Sequence, residues 1–361
     1  MKKRNLRNFV LKRSMAFGTL LGVIFLTSCS DEVMEENPST LSETQLQTLT
    51  LVPDPVQPIE LKDLSVEDPE VLKGRATDAA GVDRGRFNIT LNFVVPVTDR
   101  QRQVFEDAAA RWERIIIGDV PSFTGTIPSA FIGLPPASDG VLDDIVIEVA
   151  LTPIDGPGSI LGSAGPRFVR TDDFLTLAGL MRFDVDDLAF LDELDLFEEV
   201  IVHEMGHVLG VGTLWNVNRP ELGIERNLLT GTIEEPYFTG SKANVFWNAE
   251  GGTGELPIQG LVNGEIRPGT SFGHWDEAIL NNELMTGFLN SGVENPLSRI
   301  TAGSMRDLGY RSSSVGESYD LPDGATGVNL NEAAANGAGI MIAEMEELLM
   351  PIGFVTSSKK K

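Results

Sequence analysis

The sequence predicts an α+β domain with a mixed twisted sheet, an active-site helix, and a mostly irregular C-terminal part. Three observations carry this expectation. Segments with strand patterning lie at 87–95, 144–151 and 177–185. Two stretches, about 99–117 and 192–210, space their apolar residues by three and four, as helices do. Beyond Gly210, residues 211–273 are rich in Gly, Asn and Pro without a sustained period. A connection that long is functional or separately organised.

In chain order, Phe87 opens an alternating run that turns fully apolar by Val95, a strand entering a core. Thr98 or Asp99 can cap the next helix, whose buried stripe is Val104, Ala108, Trp112 and Ile115. Asp144 to Leu151 reads as a buried strand. Gly156 to Pro166 is turn-rich and reads as a loop, without the spacing of a phosphate-binding loop. Leu177 to Val185 is another strand, and its acids Asp184, Asp186 and Asp187 read as a solvated turn rather than a calcium loop. Asp192 or Asp195 caps the second helix, with Leu196, Val200, His203, His207 and Val211 along one stripe. Residues 297–310 form a short helix ended by Gly309, and Asn331 to Leu349 suggests an amphipathic helix.

Composition narrows the function. The chain has 361 residues, with 28 Lys+Arg against 53 Asp+Glu and a net charge of −25. No basic cluster lies outside the termini, so nucleic acid is not an expected partner. A single cysteine excludes a disulfide framework, a cysteine-ligated zinc finger and a CxxC redox site. There are three histidines, His203, His207 and His274, and any imidazole chemistry must use them.

The organisation reads as four parts. Residues 1–28 carry a cationic start and an apolar run, Met15 to Thr27, too short to span a bilayer. The run ends in Leu26-Thr27-Ser28-Cys29, which resembles a bacterial lipobox and implies lipid attachment at Cys29. A lipoprotein anchored in the outer membrane of the cell envelope is therefore expected. The acids that follow, among them Asp31, Glu32, Glu35 and Glu36, read either as a surface-export signal or as a solvated linker. Residues 29–85, rich in Pro and acids, read as a disordered tether or propeptide. The catalytic domain is assigned to 86–322 and a C-terminal extension to 323–361, with a monomer expected.

The chemistry lies in His203-Glu204-Met205-Gly206-His207, an HExxH motif on a predicted helix. Four residues at 3.6 per turn place both imidazoles on one face, able to share one Zn²⁺, with Glu204 beside them as a general base. Chance produces the motif in roughly one chain in a hundred of this length. A catalytic zinc keeps three protein ligands and one open position. Gly210 allows a sharp turn, but Thr213 stands where the longer HExxHxxGxxH pattern puts its third histidine. His274 is the remaining imidazole, while Glu221 and Glu225 are the carboxylate alternatives of a thermolysin-like site.

HExxHxxG, a long insertion, Ser271-Phe-Gly-His274-Trp275 and then Glu283-Leu284-Met285 together resemble the leishmanolysin family of metzincin metallopeptidases. Ile300-Thr301 and Asp307-Leu308-Gly309-Tyr310 resemble the closing segment of related bacterial domains. The likeness covers roughly 87–322 and is strong at the motifs, thin elsewhere. It implies a metzincin-like fold, zinc on His203, His207 and His274, Glu204 as base, Gly210 at the turn and Met285 beneath the metal. It also implies polypeptide substrates, bound extended and antiparallel to an edge strand, for which Leu177 to Phe183 is the expected edge. The chain departs from the family in lacking the cysteines of its disulfides and of a cysteine-switch propeptide. Trp275 is expected to pack rather than touch substrate, and Tyr310 to pack at a helix end.

The function expected is a zinc endopeptidase acting through a metal-activated water with Glu204 as general base. The alternative is a surface-anchored binding lipoprotein with a non-catalytic zinc site.

Overall fold

The computed structural model describes residues 49–53, 59–63, 86–291, 293–321 and 342–357. Cys29, the signal segment and most of the tether lie outside these residues. Among the described residues no helix is long and apolar enough to cross a membrane.

A large curled mixed sheet dominates. Its strands are β1 (Ile59–Asp63), β2 (Ile89–Phe93), β3 (Phe123–Ile127), β4 (Ser138–Leu142), β5 (Ile145–Thr152), β6 (Gly162–Arg170) and β7 (Thr176–Asp184). Short pairs follow: β8 (Asn216–Arg219) with β9 (Ile224–Asn227), and β10 (Leu229–Gly231), β11 (Pro236–Phe238) and β12 (Leu256–Pro257) in a small sheet. The tail contributes β13 (Glu346–Leu348) and β14 (Gly353–Ser357) to the large sheet. Six helices lie among the described residues: α1 (Asp99–Ile115), α2 (Val185–Glu193), α3 (Phe197–Leu209), α4 (Ser241–Ala249), α5 (Glu277–Leu280) and α6 (Arg299–Leu308). This is the α+β class with a mixed sheet, and the part after Gly210 is built of short elements.

The large sheet runs β2-β5-β7-β6-β14-β1-β3-β4, with β13 pairing β6 as well. Strands β2, β5 and β7 are parallel, and β6 is antiparallel to β7. Strands β5 and β6 are buried along their whole length and β7 nearly so, as expected of a sheet covered on both faces.

Helix α1 starts at a capping box. The Thr98 hydroxyl accepts from Gln101 N, and the Gln101 side chain accepts from Thr98 N. Its buried face, including Val104, Ala108, Trp112 and Ile115, packs on α3. Trp112 Nε1 donates to Val202 O at 2.8 Å, and Arg111 pairs with Glu199 of α3 at 2.9 Å and with Glu317 at 2.7 Å. Apart from Glu198 and Glu199, α3 is buried on every side, the mark of a central helix.

Several expectations need correction. Strand β7 is interior, between β5 and β6, so Leu177 to Phe183 forms no edge. The strand beside it, β6, begins at Gly162, inside the stretch read as a loop, because its small residues fit close pairing where apolar periodicity is absent. Neither Asp192 nor Asp195 caps α3, whose N-cap is Leu196 without a side-chain bond, and Asp195 instead makes a turn at φ 58°. Asp184 is buried rather than solvated, capping α2 through Asp186 N and holding the amides of Ile154, Asp155 and Gly156, each at 2.9 Å. The stretch 29–85 is not wholly a tether, since β1 joins β14 and β3, and Val52 N donates to Ala130 O. In the described part of the expected 331–349 helix, Ile342–Glu344 is a 3₁₀ turn and Glu346–Leu348 a strand.

Candidate metal centre

The site begins with the spacing inside α3. His203 and His207, one turn apart, bring their Nε2 atoms to 2.9 Å from each other. Helix α3 ends at Gly210, whose φ of 117° is left-handed and costs a glycine little. Behind it Thr213, in place of a third histidine, donates its hydroxyl to His207 O at 2.6 Å. The third imidazole comes from a distant loop. His274 Nε2 lies 3.1 Å from both His203 Nε2 and His207 Nε2.

Each ring is oriented from behind by a backbone carbonyl. His203 Nδ1 meets Leu284 O at 2.7 Å, His207 Nδ1 meets Val211 O at 2.9 Å, and His274 Nδ1 meets Thr270 O at 3.2 Å. A carbonyl accepts only, so each Nδ1 carries the proton and each Nε2 turns a lone pair inward. Burial is the main cause that pushes the His203 and His207 pKa values down and so favours the neutral rings. Three lone pairs converging in a dry interior repel one another unless a cation lies between them. Tetrahedral Zn–N bonds of about 2.0–2.1 Å separate neighbouring nitrogens by about 3.3 Å, close to the spacing here. The residues therefore fit a metal ion.

Met285 and Gly206 form the floor. Met285 N donates to Glu283 Oε2, and Met285 O accepts from Trp275 N, so the turn fixes both the His203 support at Leu284 and the His274 neighbour. Glu283 is itself held by Ser298 and Thr301. A Cβ on Gly206 would lie 2.6 Å from Met285 Sδ and 2.9 Å from Trp112, so glycine lets the sulfur pack against the helix backbone. Trp275 is fully buried, stacked on Trp215, with its Nε1 donating to Thr301. Tyr310 is buried edge-on to Phe87.

The residue that the sequence reading missed is Glu346. Its Oε1 is 2.9 Å from His274 Nε2, and its Oε2 is 3.5 Å from His203 Nε2 and 3.7 Å from His207 Nε2. His203, His207, His274 and Glu346 thus form a four-residue cluster able to hold a metal ion, all buried. Nothing in the local sequence singles Glu346 out from Glu344 and Glu347. Glu221 and Glu225, the alternative ligands, are exposed near the β8–β9 hairpin and do not belong to the cluster.

Glu204 is fully buried beside this cluster, and the only group its carboxyl meets is the carboxyl of Glu346. Burial first, then the charge of Glu346, pushes its carboxyl well above the usual range. A buried carboxyl with no group to neutralise it costs several kcal/mol, so its retention calls for a role. Comparison of the sequence with family models and with curated proteins finds no match.

Proposed function

We propose that the chain is a zinc endopeptidase of leishmanolysin-like metzincin type, with His203, His207 and His274 as zinc ligands and Glu204 as general base. The observation that carries this reading is the buried Glu204, which no cation or backbone amide neutralises, next to three imidazoles aimed at one point. Zn²⁺ bound there would polarise a scissile carbonyl and lower the pKa of water towards neutrality.

The protein groups divide the remaining work. The three imidazoles, locked by carbonyls at Nδ1, hold their ligand positions without reorganising. Glu204, adjacent to His203 on the helix, takes the proton of the attacking water and returns it to the leaving amine. Met285 and Gly206 keep the helix face and the His274 loop in register from below. Polypeptide is the substrate class, and the lipid at Cys29 would place the enzyme at a bacterial outer membrane.

A second reading, a binding lipoprotein with a structural zinc, draws support from Glu346, because four protein ligands close a zinc site. It leaves Glu204 without a purpose. Substitution of Glu204 tests the choice. With zinc bound at one per chain, Glu204→Gln should leave metal content unchanged and lower cleavage of an unfolded protein substrate about 10²–10⁴-fold. Cleavage that survives Glu204→Gln would sink the peptidase reading.

A further inference from the structure

We propose that the C-terminal segment 342–349 is a built-in inhibitor, with Glu346 capping the metal position and its backbone holding the substrate's place on β6. The inference rests on the peptidase reading. A catalytic zinc needs an open coordination position, and Glu346 is the group that fills it. Its side chain and those of the three histidines are wholly inaccessible, so in this state no peptide reaches the site.

The segment lies where an extended peptide would. One side of β6 is taken by β7. The other side, near the metal cluster, pairs with β13 in the register Glu346 to Gly162, Glu347 to Ser163 and Leu348 to Ala164. Leu161 N donates to Met345 O at 2.7 Å, and Leu349 N to Ala164 O at 2.8 Å. The pairing is parallel, whereas the resemblance implies a substrate antiparallel to its edge strand. A reversed chain brings a side-chain carboxylate to the metal instead of a peptide carbonyl. That arrangement binds without offering a bond to cleave.

The body of the domain is shaped for this segment. Four glycines from separate places in the chain line its path. A Cβ on Gly269 would lie 2.6 Å from Ala343 O, one on Gly273 2.7 Å from Leu348 Cδ1, and one on Gly287 3.1 Å from Ala343 Cβ. One on Gly165 would collide with Leu349 O. Ile342 and Ala343 are buried, and the flanking acids are matched: Glu344 to Arg267 at 3.3 Å, Glu347 to Ser163 at 2.9 Å. The anchor is separate from the plug, since β14 is an interior strand between β6 and β1. Opening the site therefore requires 342–349 to leave while 353–357 stays.

The test uses the full-length chain loaded with Co²⁺ in place of zinc, as wild type, Glu346→Ala and Gly165→Ala. The second variant displaces the segment without touching a ligand. Three quantities are measured: the visible absorption of cobalt, the affinity for a peptide hydroxamate, and cleavage of an unfolded protein. Both variants should bind hydroxamate at least ten times more tightly than wild type. Glu346→Ala should also change the cobalt spectrum, keep one metal per chain and raise cleavage at least tenfold. Equal hydroxamate affinity in all three forms, or loss of the metal from Glu346→Ala, would overturn the inhibitor role. Tighter hydroxamate binding with no cleavage by any form would uphold the cap and defeat the peptidase reading. Measurable cleavage, equal in wild type and Glu346→Ala, would defeat the cap and uphold the peptidase.

Discussion

Two regions deliver carboxylates to the same buried space, and they do so by different means. Helix α3 carries Glu204 in a single rigid element, where 3.6 residues per turn and the Gly210 end set every position. The tail carries Glu346 by strand pairing with a partner about 180 residues away in sequence, as the Ser163–Glu347 separation of 184 shows. The helix position is local and survives as long as the helix does. The tail position depends on β6, on the glycines that make room and on the last strand. The comparison teaches that a site can combine a permanent half, set by short-range geometry, with a removable half, set by docking.

The largest expected effect breaks the permanent half. His274→Ala should lower metal affinity by at least 10²-fold in a chelator competition, whereas Glu221→Ala and Glu225→Ala should leave it unchanged. Metal retained by His274→Ala would mean that the loop histidine is not needed to hold the ion.

A smaller effect separates packing from docking. Gly206→Ala forces Met285 and Trp112 away from the helix and should cost about 1–3 kcal/mol in denaturant unfolding. Gly287→Ala meets Ala343 Cβ at 3.1 Å, a contact with the tail alone besides Thr270, and should cost less than about 1 kcal/mol. Equal losses would make the tail as integral to stability as the floor of the site.

A separate effect concerns pH and changes stability by about 1.4 kcal/mol per pH unit while it lasts. Glu277 follows the His274 loop, and burial pushes its carboxyl from 4.5 up to about 9. Its folded value exceeds its unfolded one, so the stability tied to the protonated form is complete below about 4.5 and drains away as pH rises through 9. Between pH 6 and 9 the Tm of wild type should therefore fall further than that of Glu277→Gln. Parallel Tm curves would show that Glu277 does not titrate in this window.

Legibility in the sequence followed the range of the interaction. The cap of α1 at Thr98 or Asp99, the helix stripe through His203 and His207, and the apolar runs of β5 and β7 are short-range patterns and could be read directly. His274 and Met285 were legible through motif spacing, and the structure brings both to α3. Strand β6 was obscured because Gly162, Ser163, Ala164, Gly165 and Pro166 look like a turn until a neighbouring chain is known to lie against them. Glu346 was invisible for the same reason, since its burial is conferred by a pairing that no local pattern encodes.

Strand β14 has a consequence in time rather than in space. It joins β1 to the rest of the sheet, and Thr356 bonds Ile59 across 297 residues. During synthesis β6 and β7 can pair early, but the slot between β6 and β1 stays vacant until residues near 355 leave the ribosome. At about 5–20 residues per second, and with the slow closure of so long a loop, the histidine cluster precedes its cover by many seconds. A nascent chain stalled before residue 346 would thus carry all three imidazoles and Glu204 with nothing to close over them.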